Sequence, residues 1–178
     1  VYFLKPLRLA FFTPYITSIV AVSVVWLALY HPTLGPINKL LYSIGIENPP
    51  GWLSDPKTAL ISISIVMIWV GIGYEMIIYM AALQGIPKSL YEAGEIDGAV
   101  GLRKFSYITW PMITPTTFFL VITRTITSFE VFGMVNVMTG GGPAKSTSVL
   151  VYEIYEQSFR FYRFGYGSAV AWVLFFII

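Results

Sequence analysis

Residues 9–38 read LAFFTPYITSIVAVSVVWLALYHPTLGPIN, and these thirty residues carry no formal charge at pH 7 when the histidine is neutral. A soluble fold cannot easily bury so long an apolar run, whereas a helix that crosses the ~30 Å hydrocarbon layer of a bilayer needs about 20 such residues. Of the 178 residues, 56% are hydrophobic and 11% are charged. Average soluble domains have about 25% charged residues. The composition excludes a disordered chain and indicates a membrane protein.

Four apolar segments are predicted to be membrane helices. They cover residues 9–30, 59–83, 113–138 and 166–178. The last segment has thirteen residues, which as a helix would reach only ~20 Å at about 1.5 Å per residue. Because this is too short to cross a bilayer, we expect a longer protein in which the helix continues. The sequence therefore predicts an all-α, polytopic transmembrane helical bundle.

Composition also excludes several classes of function. The net charge of +2 is too small to indicate nucleic-acid binding, and a sequence without cysteine has no thiol nucleophile and no zinc ribbon. One histidine leaves little material for a metal site or a Ser-His-Asp triad. We expect no catalytic residue, no metal and no cofactor. The stretch GGGPAKS (residues 140–146) is not a phosphate loop. That motif needs glycine at positions 139 and 144, where this chain has Thr139 and Ala144, so any ATP would have to bind to another chain.

Three connections separate the apolar segments. Residues 32–58 are rich in proline and glycine and predict a turn-rich loop, with a short interfacial helix over 34–46 and Trp52 at headgroup depth. Residues 84–112 are the most polar and predict a loop that is helical in pieces. Residues 139–165 open on Thr-Gly-Gly-Gly-Pro and predict a surface helix over 146–161. Lysines and arginines divide five against five between the two sides, so they leave the orientation open.

Three charged residues interrupt the apolar segments. Glu75 and Arg124 lie ~12 Å and ~17 Å along their helices from the connection they share, at about 1.5 Å per residue, so their side chains can reach one another. Each charge alone would cost about 2.5–3.5 kcal/mol at the bilayer centre. Two interpretations remain open, a polar cavity for a solute and a salt bridge that locks two helices. Glu130, beside Thr127 and Ser128, either lines a path for a hydroxyl-rich solute or reaches the membrane interface.

The connection over 84–112 contains a predicted helix start. Ser89-Leu90-Tyr91-Glu92 fits a capping box, in which serine and glutamate satisfy each other's free backbone N–H groups. Pro87 prevents a continuous helix from the preceding span, and Gly98 permits a sharp exit. A short helix with small residues at Ala93 and Gly94 suits a cleft in another protein. The alternative is an ordinary amphipathic connector, which the residues alone favour.

This stretch resembles the signature of the inner-membrane permeases of binding-protein-dependent ABC importers. In that family Glu-Ala-Ala is followed after three residues by Gly and, nine residues later, by Ile-X-Leu-Pro. Here Glu92-Ala93-Gly94 precedes Gly98, and nine residues separate Gly98 from Ile108-Thr109-Trp110-Pro111. Gly94 and Trp110 depart from the pattern, while the spacing is kept. Residues 86–99, 129–132, 138–143 and 165–172 are similar to the carbohydrate-uptake branch, of maltose and glycerol-3-phosphate type.

The resemblance implies a fragment of the six-helix, MetI-like permease fold with about four of the core helices. Residues 1–178 would form one transmembrane domain, incomplete at both ends, with a cytoplasmic coupling loop over 84–112. The protein would be a non-enzymatic, multi-pass subunit of an ATP-driven sugar importer in the cell inner membrane. The implied partners are a cytoplasmic ATP-binding subunit, a second homologous permease, an extracytoplasmic solute-binding protein near the outward loop 140–143, and the lipid bilayer.

The resemblance also implies roles for individual residues. Coupling to the ATPase falls on Ser89, Glu92, Ala93, Gly94, Asp97, Gly98, Ile108 and Pro111. The solute path falls on Tyr15, Val70, Gly71, Tyr74, Thr127, Ser128 and Val131, to which its position in the span adds Glu130. The alternative function is an ion-coupled secondary transporter that works without an ATPase, with Glu75, Arg124 and Glu130 as the relay.

Overall fold

The computed structural model describes residues 4–178, with side chains from residue 6 onward, so residues 1–3 of the predicted domain lie outside the described part. Within residues 4–178 the regular structure is entirely helical, which confirms the predicted class. The helices are α1 (Leu4–Ile16), α2 (Ile19–Leu29), α3 (Pro36–Ser43), α4 (Ala59–Gln84), α5 (Lys88–Ile96), α6 (Leu102–Lys104), α7 (Trp110–Phe129), α8 (Phe132–Met138), α9 (Leu150–Tyr155) and α10 (Phe164–Ile177). One π-helical turn (Phe105–Thr109) joins α6 to α7, and a second (Glu156–Arg160) follows α9.

Two predicted spans are confirmed as helices. The second span matches α4, which ends one residue later than expected, and the fourth matches α10, which begins two residues earlier. Among the described residues, α4 and the continuous helix Leu102–Phe129 are long and apolar enough to cross a membrane. The helices on either side of residues 17–18 would add a third span if they are counted together.

The other two predicted spans have the wrong bounds. Residues 9–30 are not one helix, because Ser18 has an extended ψ of 129° and separates α1 from α2. Pro14, inside α1, removes a backbone donor one turn earlier and weakens the helix there. The third span begins before residue 113, since the π-helical turn continues the helix back to α6, and it ends at Phe129 rather than Met138. The chain leaves the helix at Glu130 and Val131 before α8 begins.

The chain divides into two compact units. The first comprises the residues up to Tyr15 together with Gly71–Thr125, and the second comprises Ile16–Val70 and Ile126–Ile178. Three helices, α1, α4 and α7, contribute to both units.

In the first unit, the second half of α4 packs against α1 and α7. Gly73 allows close approach, since a Cβ at this position would overlap the backbone of Phe11 and Phe12. On the other side, the Tyr79 hydroxyl donates to Thr117 Oγ1 at 3.1 Å. The second contact places α7 beside the second half of α4.

The second unit has an apolar core built from α2, the first half of α4, α8 and α9. Its buried members are Val22, Tyr30, Ile63, Val66, Met134, Val135, Met138 and Tyr152. A polar network closes one end of this core. The Tyr30 hydroxyl donates to the Ser62 carbonyl at 3.2 Å, and Trp52 Nε1 donates to Asn38 Oδ1 at 2.6 Å. The network fixes α3, which forms inside the predicted 34–46 segment, and holds the Trp52 ring half-buried against Tyr30.

Candidate functional site

The polar connection after α4 forms the short helix α5, but the predicted capping box is wrong. Pro87 is the N-cap, with φ −58° and ψ 133°, and no side chain caps this helix end. Ser89 lies one residue inside the helix, so its hydroxyl is not at the N-cap, where it would satisfy the free backbone N–H groups. Pro87, and not a capping box, determines where α5 begins, because the fixed φ of proline suits an extended residue that precedes a helix.

The end of α5 is a Schellman motif. The Ala99 N–H donates to the Gly94 carbonyl at 2.7 Å, and the Gly98 N–H donates to the Glu95 carbonyl at 3.1 Å. Both bonds require a left-handed residue after the helix, and Gly98 supplies it with a φ of +75°. Asp97 is the C-cap. The backbone conformation at the end of α5 therefore favours glycine at position 98 of the signature. The predicted sharp exit from the helix is confirmed.

The two halves of the signature pack against each other within the first unit. Gly94 faces Ile108, and a Cβ at position 94 would overlap Ile108 Cδ1. One turn away, the hydroxyls of Tyr91 and Thr109 lie 3.1 Å apart. This packing joins α5 to the π-helical turn that leads into α7.

A salt bridge closes the loop between α5 and α6. Lys104 Nζ pairs with the Glu95 carboxylate and lies 5.2 Å from the centre of the Tyr91 ring. The sequence reasoning missed this pair, although the opposite charges of two residues in one short loop were a visible signal.

Most of the predicted coupling residues are exposed. Ser89, Glu92, Ala93, Asp97, Gly98 and Pro111 are accessible, while Gly94 and Ile108 are half-buried by their mutual contact. Large apolar side chains stand beside them in the same unit: Ile96 is 88% exposed, Leu102 84% and Val100 69%. We call the exposed residues of α5 together with Ile96, Val100 and Leu102 the α5 surface. An exposed apolar patch bordered by charges is typical of a protein–protein contact.

The intramembrane charges of the first unit form an ion pair. Arg124 Nε lies 2.5 Å from Glu75 Oε1. The Nη2 group of the same guanidinium donates a hydrogen bond to the Gly71 carbonyl oxygen at 2.9 Å. Gly71 makes this possible, because a Cβ there would stand only 3.0–3.2 Å from the guanidinium atoms. The salt bridge that the second interpretation expects is therefore present, and the solute cavity of the first stays a prediction. Each side chain nevertheless keeps 34% of its surface exposed, so the pair is not shielded.

Two aromatic rings flank this ion pair. Arg124 lies with its guanidinium carbon 5.4 Å from the centre of the Tyr74 ring, and Tyr74 stacks on Tyr15 with ring centres 5.2 Å apart. Three of the predicted path residues, Tyr15, Gly71 and Tyr74, thus come together around a pair that the resemblance did not include. We call Tyr15, Gly71, Tyr74, Glu75 and Arg124 the ion-pair cluster.

The remaining predicted path residues belong to the second unit. Val70 and Val131 pack against its apolar core. Thr127, Ser128 and Glu130 are exposed where the helix ends, and the Glu130 N–H donates to the Thr127 carbonyl at 3.2 Å.

The connection over 139–165 is an ordered loop before it becomes helical. Thr147 is buried; its hydroxyl donates to the Gly142 carbonyl at 2.8 Å and lies 2.7 Å from the Thr139 hydroxyl. Because of these bonds the helix begins at Leu150, so the predicted start at 146 is wrong. The prediction of a surface helix is also partly wrong, since Tyr152 belongs to the core.

Charged groups then line α9 and the turn after it. Glu153 accepts hydrogen bonds from Gln157 at 2.7 Å and Ser148 at 3.2 Å, and it faces Lys145 at 3.7 Å. The hydrogen bond from Gln157, helped by the Lys145 charge, lowers the pKa of Glu153 against the opposing effect of burial. The loop therefore carries a fixed charge network at neutral pH.

No group of three or more metal-ligating side chains occurs among the described residues. The features that stand out are the α5 surface, the ion-pair cluster and the ordered 139–165 loop on a frame of membrane-length helices. These features define a helical membrane protein with an exposed, partly apolar α5 surface. The chain belongs to the family described as binding-protein-dependent transport system inner membrane component, whose profile matches residues 3–178.

Individual relatives of the chain are named as permease proteins of transport systems. The chain is 37% identical over 166 residues to the sn-glycerol-3-phosphate transport system permease protein UgpA of Agrobacterium fabrum, covering 93% of this chain and 56% of that protein. It is 40% identical over 171 residues to the lactose transport system permease protein LacF of Rhizobium radiobacter, covering 94% and 57%. It therefore spans a little over half the length of these relatives.

A solved structure extends the likeness to the fold. The chain superposes on a chain of the bacterial alginate ABC transporter, in complex with an alginate pentasaccharide-bound periplasmic protein, with a TM-score of 0.84 and 27% identity. The match covers 94% of this chain and 58% of that one. The MetI-like permease fold predicted from the resemblance is confirmed.

Proposed function

We propose that this chain is part of the membrane-spanning subunit of an ATP-driven importer of carbohydrates or related polyols. Residues 1–178 belong to its transmembrane domain, and residues 84–112 form the coupling loop on the cytoplasmic side. The protein lies in the cell inner membrane as a multi-pass component. Relatives named for glycerol-3-phosphate, lactose and alginate support a hydroxyl-rich solute.

The observation that carries the proposal is the packing of Gly94 on Ile108. It joins the exposed helix α5 to the base of α7, as a coupling element requires. In this proposal the α5 surface docks on a separate ATP-binding subunit, through Ser89, Glu92, Ala93, Asp97 and the neighbouring apolar side chains. Closure of the ATPase pair moves α5, and α7 follows. The equilibrium shifts because ATP binds one global state more tightly than the other.

The other partners follow from the same assignment. A second, homologous permease pairs with this one, and an extracytoplasmic solute-binding protein delivers solute near the 139–165 loop. The solute path includes Tyr15, Gly71 and Tyr74 in the first unit, and Val70, Thr127, Ser128, Glu130 and Val131 in the second.

The experiment is solute uptake by the complete complex in proteoliposomes, with its receptor outside and ATP inside. A panel of neutral sugars, polyols and their phosphate esters identifies the solute. We expect uptake of at least one of them that depends on ATP and on the receptor. Uptake that persists without ATP and follows a proton or sodium gradient would instead support the secondary transporter, in which Glu75, Arg124 and Glu130 act as a relay.

A further inference from the structure

One face of α5 packs on the π-helical turn that leads into α7. Tyr91 and Gly94 are the half-buried residues of α5, and because they lie three residues apart they share a face of the helix. Both contact the π-helical turn. We propose that Tyr91 is a positioning residue that holds α5 to the base of α7 throughout the transport cycle. This inference rests on the proposed function.

The first argument concerns the two residues that hold Tyr91. Lys104 Nζ lies 5.2 Å from the centre of the Tyr91 ring, and the Thr109 hydroxyl lies 3.1 Å from the Tyr91 hydroxyl. The lysine therefore contacts the ring, and the threonine contacts its polar end. The same lysine pairs with Glu95, one turn further along α5. These contacts fix the orientation of α5 at two points.

The second argument concerns the π-helical turn, which brings Lys104 and Thr109 to the same side. In an α-helix, residues five apart lie ~140° apart around the axis, at 3.6 residues per turn. The hydrogen bonds of a π-helical turn join residues five apart, so such residues lie nearly above one another. The Trp110 N–H donates to the Phe105 carbonyl in this way. The wide turn therefore lets two residues that are five apart both reach Tyr91.

The third argument concerns the loop that joins α5 to α6. It passes through Gly98 and Gly101, with φ values of +75° and +54°, and a Cβ at either glycine would meet nothing within 4 Å. A segment with so few contacts holds its ends weakly. The position of α5 relative to α7 therefore depends on side-chain contacts, of which the Tyr91 contact is one.

The first experiment separates a positioning role from a merely structural one. Tyr91→Phe and Thr109→Val each remove the contact between the two hydroxyls, and Thr109→Ser, which keeps a hydroxyl, is the matched control. The quantity is the ratio of solute-stimulated to basal ATP hydrolysis in the assembled complex, measured together with the midpoint of thermal unfolding.

We expect Tyr91→Phe and Thr109→Val each to lower this ratio by about fivefold, because one hydrogen bond contributes about this factor to an equilibrium. The double variant should lower it no further, since both changes remove the same contact. Thr109→Ser should keep most of the ratio. A lower midpoint with an unchanged ratio in the first two variants would show a merely structural role and would overturn the inference.

The second experiment restores the contact with a covalent link. This chain has no cysteine, so Tyr91→Cys with Thr109→Cys supplies a defined pair of thiols once the rest of the complex is freed of cysteine. A short bifunctional methanethiosulfonate joins the two thiols, and a reductant releases them. We expect the ratio to be low before the link forms, to recover with the link and to fall again with reductant. Each single cysteine treated with the same reagent is the control and should show no recovery.

A link that blocks hydrolysis until reductant is added would overturn the inference, because Tyr91 and Thr109 would then have to separate during the cycle. The yield of the link should also be equal with and without ATP, a measurement that needs no solute. The two claims fail separately. A complex in which sugar stimulates the parent and Tyr91→Phe equally contradicts only the role of Tyr91. A complex in which the link forms equally with and without ATP, but which imports no carbohydrate, contradicts the proposed function.

Discussion

Gly94 of α5 lies directly against Ile108 of the π-helical turn, so close that no side chain fits at position 94 without moving Ile108. The family signature has alanine at the position that Gly94 occupies in this chain. The obstructing atom, Cδ1, is the far end of the Ile108 side chain, which can rotate to make room for a methyl group but not for a larger side chain.

Substitutions at position 94 should therefore follow size. Gly94→Ala should be nearly neutral, because a helix-propensity gain of about 1 kcal/mol offsets the movement of Ile108. Gly94→Leu should cost about 1–3 kcal/mol by overpacking and weaken solute-stimulated ATP hydrolysis of the complete complex. Adding Ile108→Ala to Gly94→Leu should restore part of the stimulation. Full activity of Gly94→Leu alone would show that this contact does not couple α5 to α7.

The Schellman motif makes a different prediction at Gly98. A Cβ there would meet nothing within 4 Å, so any cost comes from the positive φ of +75° and not from a clash. Gly98→Val should cost at least about 1–2 kcal/mol and abolish solute-stimulated ATP hydrolysis, whereas Gly98→Asn should retain much of it, since asparagine tolerates this region. If both variants lose stimulation equally in the reconstituted complex, a docking contact rather than backbone geometry explains this glycine.

Gly71 is predicted to protect the ion pair. Gly71→Ala brings a methyl group to 3.0–3.2 Å from the Arg124 guanidinium, so the arginine must move away from the Gly71 carbonyl. We expect the complex to lose about 1–3 kcal/mol of stability, read as a lower midpoint of thermal unfolding. The matched control is Gly165→Ala, where the added Cβ meets nothing within 4 Å. Equal midpoints for the two variants would count against a close Gly71–Arg124 contact.

Thr147 is predicted to hold the 139–165 loop. Thr147→Val keeps the shape of the side chain but leaves the Gly142 carbonyl without its hydroxyl donor, which should cost about 1–3 kcal/mol. Thr147→Ser keeps the hydroxyl and is the control. Receptor-stimulated ATP hydrolysis should fall in the valine variant and be largely kept in the serine variant. If the loop receives the receptor only through its surface charges, both variants will behave as the unmodified protein does.

Hydropathy was sufficient to predict the helical class and two of the spans. An uninterrupted apolar run satisfies its backbone hydrogen bonds in a bilayer by forming a helix, which explains why the predicted spans agree with α4 and α10. The first and third spans had wrong bounds, because the breaks at Ser18 and Glu130 are set by backbone geometry inside segments that remain apolar. Hydropathy does not detect such breaks.

The sequence also predicted part of the candidate site. The signature located α5 and its exit at Gly98, since spacing along the chain determines both. The capping box failed because Pro87 competes for the same helix start, which places Ser89 inside the helix. Helix lengths brought Glu75 and Arg124 within reach, but the space for the guanidinium depends on Gly71, which only the folded chain brings beside Arg124.

The most direct test of the account is whether the α5 surface touches a separate ATPase. Single cysteines at Ser89 and Ala93, both exposed on α5, would be crosslinked in the assembled complex, with Ile61→Cys on the exposed face of α4 as the control. We predict a product of this chain with the ATP-binding subunit from both α5 positions and none from position 61. Labelling of the α5 cysteines only from outside the cell, or the absence of any ATPase product, would contradict the account.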